Sequence, residues 1–202
     1  NAPLPELPGE IDAVLLTHQH ADHVYGFDDL RRFCALQKAC IPCYGNRATI
    51  ERMDRVFDYV LHSAEKNFFD IPVVSFTTVD GPFELFGQTV TPIQLVHGRW
   101  PCFGYRIGDF AYCTDVHEIS ESSMRLLEGL DVLILGALRH RPHVTHFTVA
   151  EALAVVERVR PRRTWFTHIA HDLEHEATNA MLPAGVELAW DGLVIDLDRP
   201  AA

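Results

Sequence analysis

The first apolar run, residues 11–16, is short and bounded, and predicts a buried strand. Residues 22–37 predict a helix, 41–44 a short strand, and 46–63 an amphipathic helix. In the latter, Ile50, Met53, Val56, Phe57, Val60 and Leu61 recur at helical spacing and mark a face for core packing. Strand-like runs follow at 73–79, 88–96, 102–107 and 110–114, separated by Gly and Pro. From residue 121 the rhythm changes. Helices are expected at 121–128, 148–158 and 173–182, alternating with strands at 132–135, 164–167, 186–188 and 193–197. Strands first and alternation afterwards predict a layered α/β or α+β core, with two sheets face to face and helices outside. The chain shows no repeat, low-complexity tract or linker. At 202 residues and 48% hydrophobic it can bury one sizeable core, so a single domain over 1–202 is expected.

Composition narrows the partners. The formal net charge is −11, whereas nucleic-acid binders carry excess Lys and Arg, so an extended nucleic acid is an unexpected partner and a small anionic ester is not. No apolar run approaches the ~20 residues of a membrane span, so no membrane partner is expected. Cys34, Cys40, Cys43, Cys102 and Cys113 are odd in number and lack disulfide-framework spacing, which points to a reducing, cytoplasmic location. Cys40 and Cys43 have the gap of a zinc knuckle but no second pair, and read as structural or incidental.

The chemistry is concentrated directly behind the first strand. Thr17-His18-Gln19-His20-Ala21-Asp22-His23 packs three imidazoles and a carboxylate into six positions, a density suited to zinc, iron or manganese, and to two ions rather than one. Alternation along an extended chain lets His18 and His20 point the same way, while Asp22 and His23 fall where a helix begins. Three more candidates each follow an apolar, β-rich stretch: His97, Asp115 and His168.

The first run resembles the H-x-H-x-D-H motif of the metallo-β-lactamase superfamily, and the three later residues stand where that superfamily needs them. The resemblance implies an α+β fold, the metallo-β-lactamase-like αββα sandwich. It also implies two divalent ions, Zn or Mn, with Fe as an alternative. His18, His20 and His97 would hold one ion, Asp22, His23 and His168 the other, and Asp115 would bridge them. His23 after Asp22 departs from the β-lactamases proper, and His20 stands where flavodiiron oxidoreductases carry Glu. The stretch after His168 is too short for the helical domain of glyoxalase-type thioesterases. The phosphodiesterase-like branches remain.

Within those branches, His146 and Thr148 at a predicted helix start resemble a motif shared by transfer-RNA 3′-processing enzymes and PhnP-type cyclic-phosphate phosphodiesterases. There the His serves the phosphate as proton donor or charge-assisted hydrogen bond. Thr167-His168-Ile169-Ala170-His171 is similar to the PhnP end motif, as are 26–31, 103–106, 182–187 and 191–193. The implied reaction is hydrolysis of a small cyclic or nucleotide-like phosphodiester. A hydroxide held between the ions would attack phosphorus, with Asp22 and His146 catalytic and His146 protonating the leaving oxygen. Alternatives are a transfer-RNA-type nuclease, or a non-catalytic metal- or nucleotide-binding remnant. Arg139, Arg141 and His143, on the loop before His146, are candidates for substrate phosphate.

Three departures qualify the resemblance. Relatives begin with two or more strands and a glycine-rich loop before the metal motif, so the chain reads as N-terminally incomplete. A longer parent, or a second chain as in a homodimer, is then expected to cover the edge of strand 11–16. His171 matches a residue that in PhnP-type enzymes shares a structural zinc with N-terminal cysteines not in this chain. Gly136 stands at a strand end where many relatives have Asp; a lost supporting carboxylate of that kind can cost roughly 10 to 100-fold in metal affinity or activity.

Overall fold

The structure is a computed structural model and describes residues 9–61 and 71–197. Chain contacts divide the described residues after Gly81 into two compact units.

The first unit is a three-stranded parallel sheet, in order β1 (Val14–Leu16), β2 (Ile41–Gly45) and β3 (Val74–Thr78). Among the described residues β1 pairs only with β2, with Leu16 opposite Gly45. The helix expected over 22–37 is broken. It begins as α1 (Ala21–Val24), tightens into a 3-10 segment over Tyr25–Asp29 that contains Gly26, and resumes as α2 (Leu30–Gln37). The expected helix over 46–63 is likewise two pieces, α3 (Arg47–Val56) and α4 (Asp58–Leu61), interrupted at Phe57; residues 62 and 63 lie outside the described residues. Asn46 caps α3, its side chain accepting from the Thr49 N–H at 2.9 Å. The predicted core face is confirmed for Met53, Phe57 and Val60, which pack with Leu16, Phe27, Cys34, Ile41 and Cys43 in this unit's own core.

The second unit is a seven-stranded mixed sheet with the order β10-β9-β8-β7-β6-β5-β4. Its strands are β4 (Phe83–Leu85), β5 (Gln88–His97), β6 (Trp100–Ile107), β7 (Phe110–Cys113), β8 (Val132–Gly136), β9 (Arg163–Thr167) and β10 (Val186–Leu188). β4 to β7 are antiparallel and β7 to β10 parallel, so the change from strand runs to alternation in the sequence is a change in sheet connectivity. Helices α5 (Glu121–Arg125), α6 (Val149–Val159) and α7 (His175–Asn179) complete it. β8 is buried along its whole length, and Leu133, Leu135 and Phe166 are central to this unit's core.

Two expectations are corrected here. Residues 193–197 alternate like a strand but join no ladder; the Leu193 N–H turns back to Trp190 O, and Asp196 O accepts from Arg163 Nη2 at 2.9 Å. Helices α5 and α7 are each five residues, shorter than their apolar spacing implied. Strand β4, unanticipated, forms a hairpin with β5 through Phe86 and Gly87 at φ 52° and 77°. All five cysteines are free; Cys40 is exposed and the other four are buried. No helix among the described residues is long and apolar enough to cross a membrane.

Candidate metal centre

In the first unit the motif leaves β1 and turns at once into α1. His18, fully buried, sits two residues past the strand, with its Nε2 3.0 Å from His20 Nδ1. Thr17 Oγ1 lies 3.2 Å from His18 Nδ1, so a proton held on Nδ1 leaves the Nε2 lone pair on the side of His20. The His18 and His23 rings are 4.2 Å apart, and His23 Nε2 is 3.3 Å from Asp22 Oδ2. Residues 18, 20, 22 and 23 are thus gathered, as their spacing predicted, by a strand end followed immediately by a helical turn.

In the second unit the strand ends do the same work. His97 is the last residue of β5, Asp115 lies two past β7, and His168 directly follows β9. Asp115 is only 2% exposed. Its Oδ2 is 3.5 Å from His97 Nε2 and 3.8 Å from His146 Nδ1, and its Oδ1 is 3.4 Å from His168 Nε2. The ligand atoms of Asp115, His146 and His168 all lie within 4.8 Å of one another. The His146 and His168 rings stack at 4.8 Å with 13° between planes. His168 has φ 57°, a left-handed conformation uncommon for a side-chain-bearing residue, and strain of this kind is characteristic of functional positions.

Second contacts orient these groups, and spacing alone did not reveal them. His97 Nδ1 donates to Thr145 O at 2.9 Å, which fixes its tautomer and turns the Nε2 lone pair to Asp115. Thr145 approaches closely because residue 98 is glycine: at φ 58° a Cβ there would lie 2.9 Å from Thr145 Cγ2. Thr114 Oγ1 donates to Asp115 Oδ1 at 2.9 Å. Gly136 has a physical reason of its own, since a Cβ on it would fall 2.1 Å from Thr114 O. The supporting carboxylate envisaged at that position therefore has no room on this backbone, and glycine is what lets the end of β8 lie against the segment that presents Asp115.

His146 reaches Asp115 from the turn before α6, whose N-terminus is closed by a reciprocal capping box between Thr148 and Glu151. Burial pushes the His146 imidazole down to about 4; Asp115 opposes this, and His168, His97 and His143 reinforce it. Burial thus favours its neutral form. Burial, then Arg139, also lowers His143, whose ring is 5.0 Å from that of His146 and whose Nδ1 accepts from the Thr145 N–H at 3.3 Å. Arg139 and Arg141 are engaged in shaping the loop. Arg139 donates to the carbonyls of Arg141 and Pro142, and Arg141 pairs with Asp172 at 2.9 Å. His171 is exposed and belongs to no metal-ligating group among the described residues.

The donor set fits a divalent cation. A carboxylate this buried is costly unless compensated, and the imidazole nitrogens facing it are groups able to give lone pairs to a metal, the arrangement a cation completes.

Comparison with known proteins agrees. Residues 1–169 match the beta-lactamase superfamily domain. A crystal structure of a new diphosphatase from the PhnP family is 41% identical with a TM-score of 0.84, over 92% of this chain and 70% of that one. Human tRNase Z, short form, is 21% identical with a TM-score of 0.70, over 96% and 82% of the two chains, a likeness of fold. An octanoyltransferase of Porphyromonas gingivalis (strain ATCC BAA-308 / W83) is 31% identical across 94% of this chain, which spans 38% of that protein's length. With the metallo-β-lactamase fold and a buried carboxylate ringed by imidazoles, the chain belongs to the beta-lactamase superfamily and, within it, to the PhnP family, and is a metal-dependent hydrolase.

Proposed function

We propose that the chain hydrolyses a small organic phosphodiester or a diphosphate-linked analogue, using two divalent ions. The observation that carries this reading is Asp115, with one oxygen facing His168 and the other facing His97 and His146. In this proposal His18, His20 and His97 serve one ion, Asp22, His23 and His168 the other, and Asp115 both. When bound, the ions supply Lewis-acid charge and a water of lowered pKa. The chain's own residues do the rest. Asp22 orients the attacking water as a carboxylate acceptor. His146, held by the capped turn before α6, donates an N–H to the leaving oxygen, and the negative charge of a phosphate favours its protonated form over the neutral one.

Two facts support a small substrate: the diphosphatase of the PhnP family shares 41% identity, and a net charge of −11 disfavours long polyanions. The test is a substrate panel on zinc- and manganese-reconstituted protein, comprising bis(p-nitrophenyl) phosphate, a 2′,3′-cyclic nucleotide, a disubstituted diphosphate and RNA. Turnover of a small diester or diphosphate is expected. Cleavage of RNA alone would overturn the small-substrate reading, and metal binding without any turnover would overturn catalysis.

A further inference from the structure

One groove lies against the candidate metal ligands of the second unit without being used by the reaction. It is about 280 Å³ in volume and lined by Thr167, His168, Ile169, Ala189, Trp190 and Asp191. One wall is His168 and another is the indole of Trp190, which is 49% exposed. A chain of hydrogen bonds fixes the ring of His175, which meets the indole edge-on. The Leu188 N–H donates to Asn179 Oδ1 at 2.7 Å, which makes the other Asn179 terminus the amide donor to His175 Nδ1 at 3.2 Å. His175 then carries its proton on Nε2, an atom with no hydrogen-bond partner, and its ring meets the indole at 87° with centroids 6.4 Å apart. Trp190 thus has the fixed His175 ring as a neighbour and is half-exposed beside the groove. Beside it, the Asp191 carboxylate makes no hydrogen bond or ion pair among the described residues.

We propose that this groove is the subsite for a nucleobase on the substrate. The base stacks on Trp190 over the small apolar floor of Ile169 and Ala189, and an exocyclic amine or ring N–H of the base donates to Asp191. The chemistry follows from the walls. An indole face takes any planar aromatic ring, a free carboxylate selects rings with N–H donors, and the volume suits one base, not an oligonucleotide. The position follows from His168, since a phosphate beside that residue leaves its substituent within reach of the groove. The inference rests on the phosphate reading of the metal site and names the class of group attached to that phosphate.

The test compares adenosine 5′-monophosphate with ribose 5-phosphate, two ligands sharing the phosphate and sugar but not the base, by calorimetric titration of the zinc-loaded full chain. The nucleotide should bind roughly tenfold more tightly, the scale of one base stacked on one aromatic ring. Trp190→Ala should bring the ratio of the two affinities close to one, Trp190→Phe should keep most of it, and Asp191→Asn should lower it in part. Equal affinities in the unmodified chain, or a preference that survives Trp190→Ala, would overturn the subsite. If neither ligand binds, the phosphate reading itself fails and the subsite with it.

Discussion

A carboxylate has two oxygens to give where a neutral imidazole has one lone pair, and Asp115 has both engaged, Oδ1 toward His168 and Oδ2 toward His97 and His146. Substitution here should do more harm than loss of any single His. The reconstituted chain is expected to hold about two divalent ions, and Asp115→Ala to lose most of at least one; unchanged metal content by elemental analysis would refute the bridging role. His146 is separable from the metals because its task is toward the leaving group. His146→Ala should retain its ions yet lose ~10² to 10⁴-fold in kcat on a substrate with an alkoxide leaving group, the usual range for a general acid. The loss should shrink for nitrophenolate, which leaves unaided. Equal losses on both would show that His146 only binds. The neutral state that burial favours in His146 is consistent with a residue that gains charge only once an anion arrives beside it.

At the level of elements, the sequence was legible wherever a strand end delivers a side chain. His97, Asp115 and His168 each follow an apolar run that does form a strand, so the run itself located the residue. Less legible were features set by backbone packing. The β4–β5 hairpin turns on Phe86 at positive φ, a residue type that gives no turn signal, and the alternation at 193–197 is overridden by a turn at Trp190 and the Arg163 contact to Asp196 O. The helix over 22–37 tightens at Tyr25–Asp29, where apolar spacing alone shows no break. Gly136 is the most instructive case, because a deficit inferred by analogy turns out to be a steric requirement. Gly136→Asp should therefore not restore an orienting carboxylate. It should destabilise the chain by about 1–3 kcal/mol or more, the cost of forcing atoms into a packed interior, and displace Asp115 by pushing on Thr114. Chemical denaturation with parallel metal titration checks this, and tighter metal binding in Gly136→Asp would overturn it.

At the scale of the whole molecule, each unit has its own apolar core, and the seven-stranded sheet is also fastened at its polar margin. Asp131, just before β8, pairs with Arg162 and, at 3.3 Å, with Arg163 at the start of β9, and the Arg162 hydrogen bond holds its carboxyl below the usual range. A carboxyl lowered on folding stabilises above its unfolded value, near 4, and that contribution is lost as pH falls through the folded value. Asp131→Asn should therefore lower Tm at pH 7 by ~1–3 °C, the scale of a partly exposed pair in a chain of this size, with the difference closing in acid. A difference independent of pH would assign the effect to packing.

The distribution of thiols has a practical consequence. Cys34, Cys43, Cys102 and Cys113 are buried, and burial pushes Cys43 and Cys113 up to about 12, so their reactive thiolate form is almost absent in the native state; Cys40 alone is exposed. Cys34 and Cys43 lie in one unit, Cys102 and Cys113 in the other. A thiol reagent added to the native chain should therefore modify one sulfur quickly and four slowly. Because each slow pair belongs to a different core, mass spectrometry of the modified peptides would time the opening of each unit separately, without any added label.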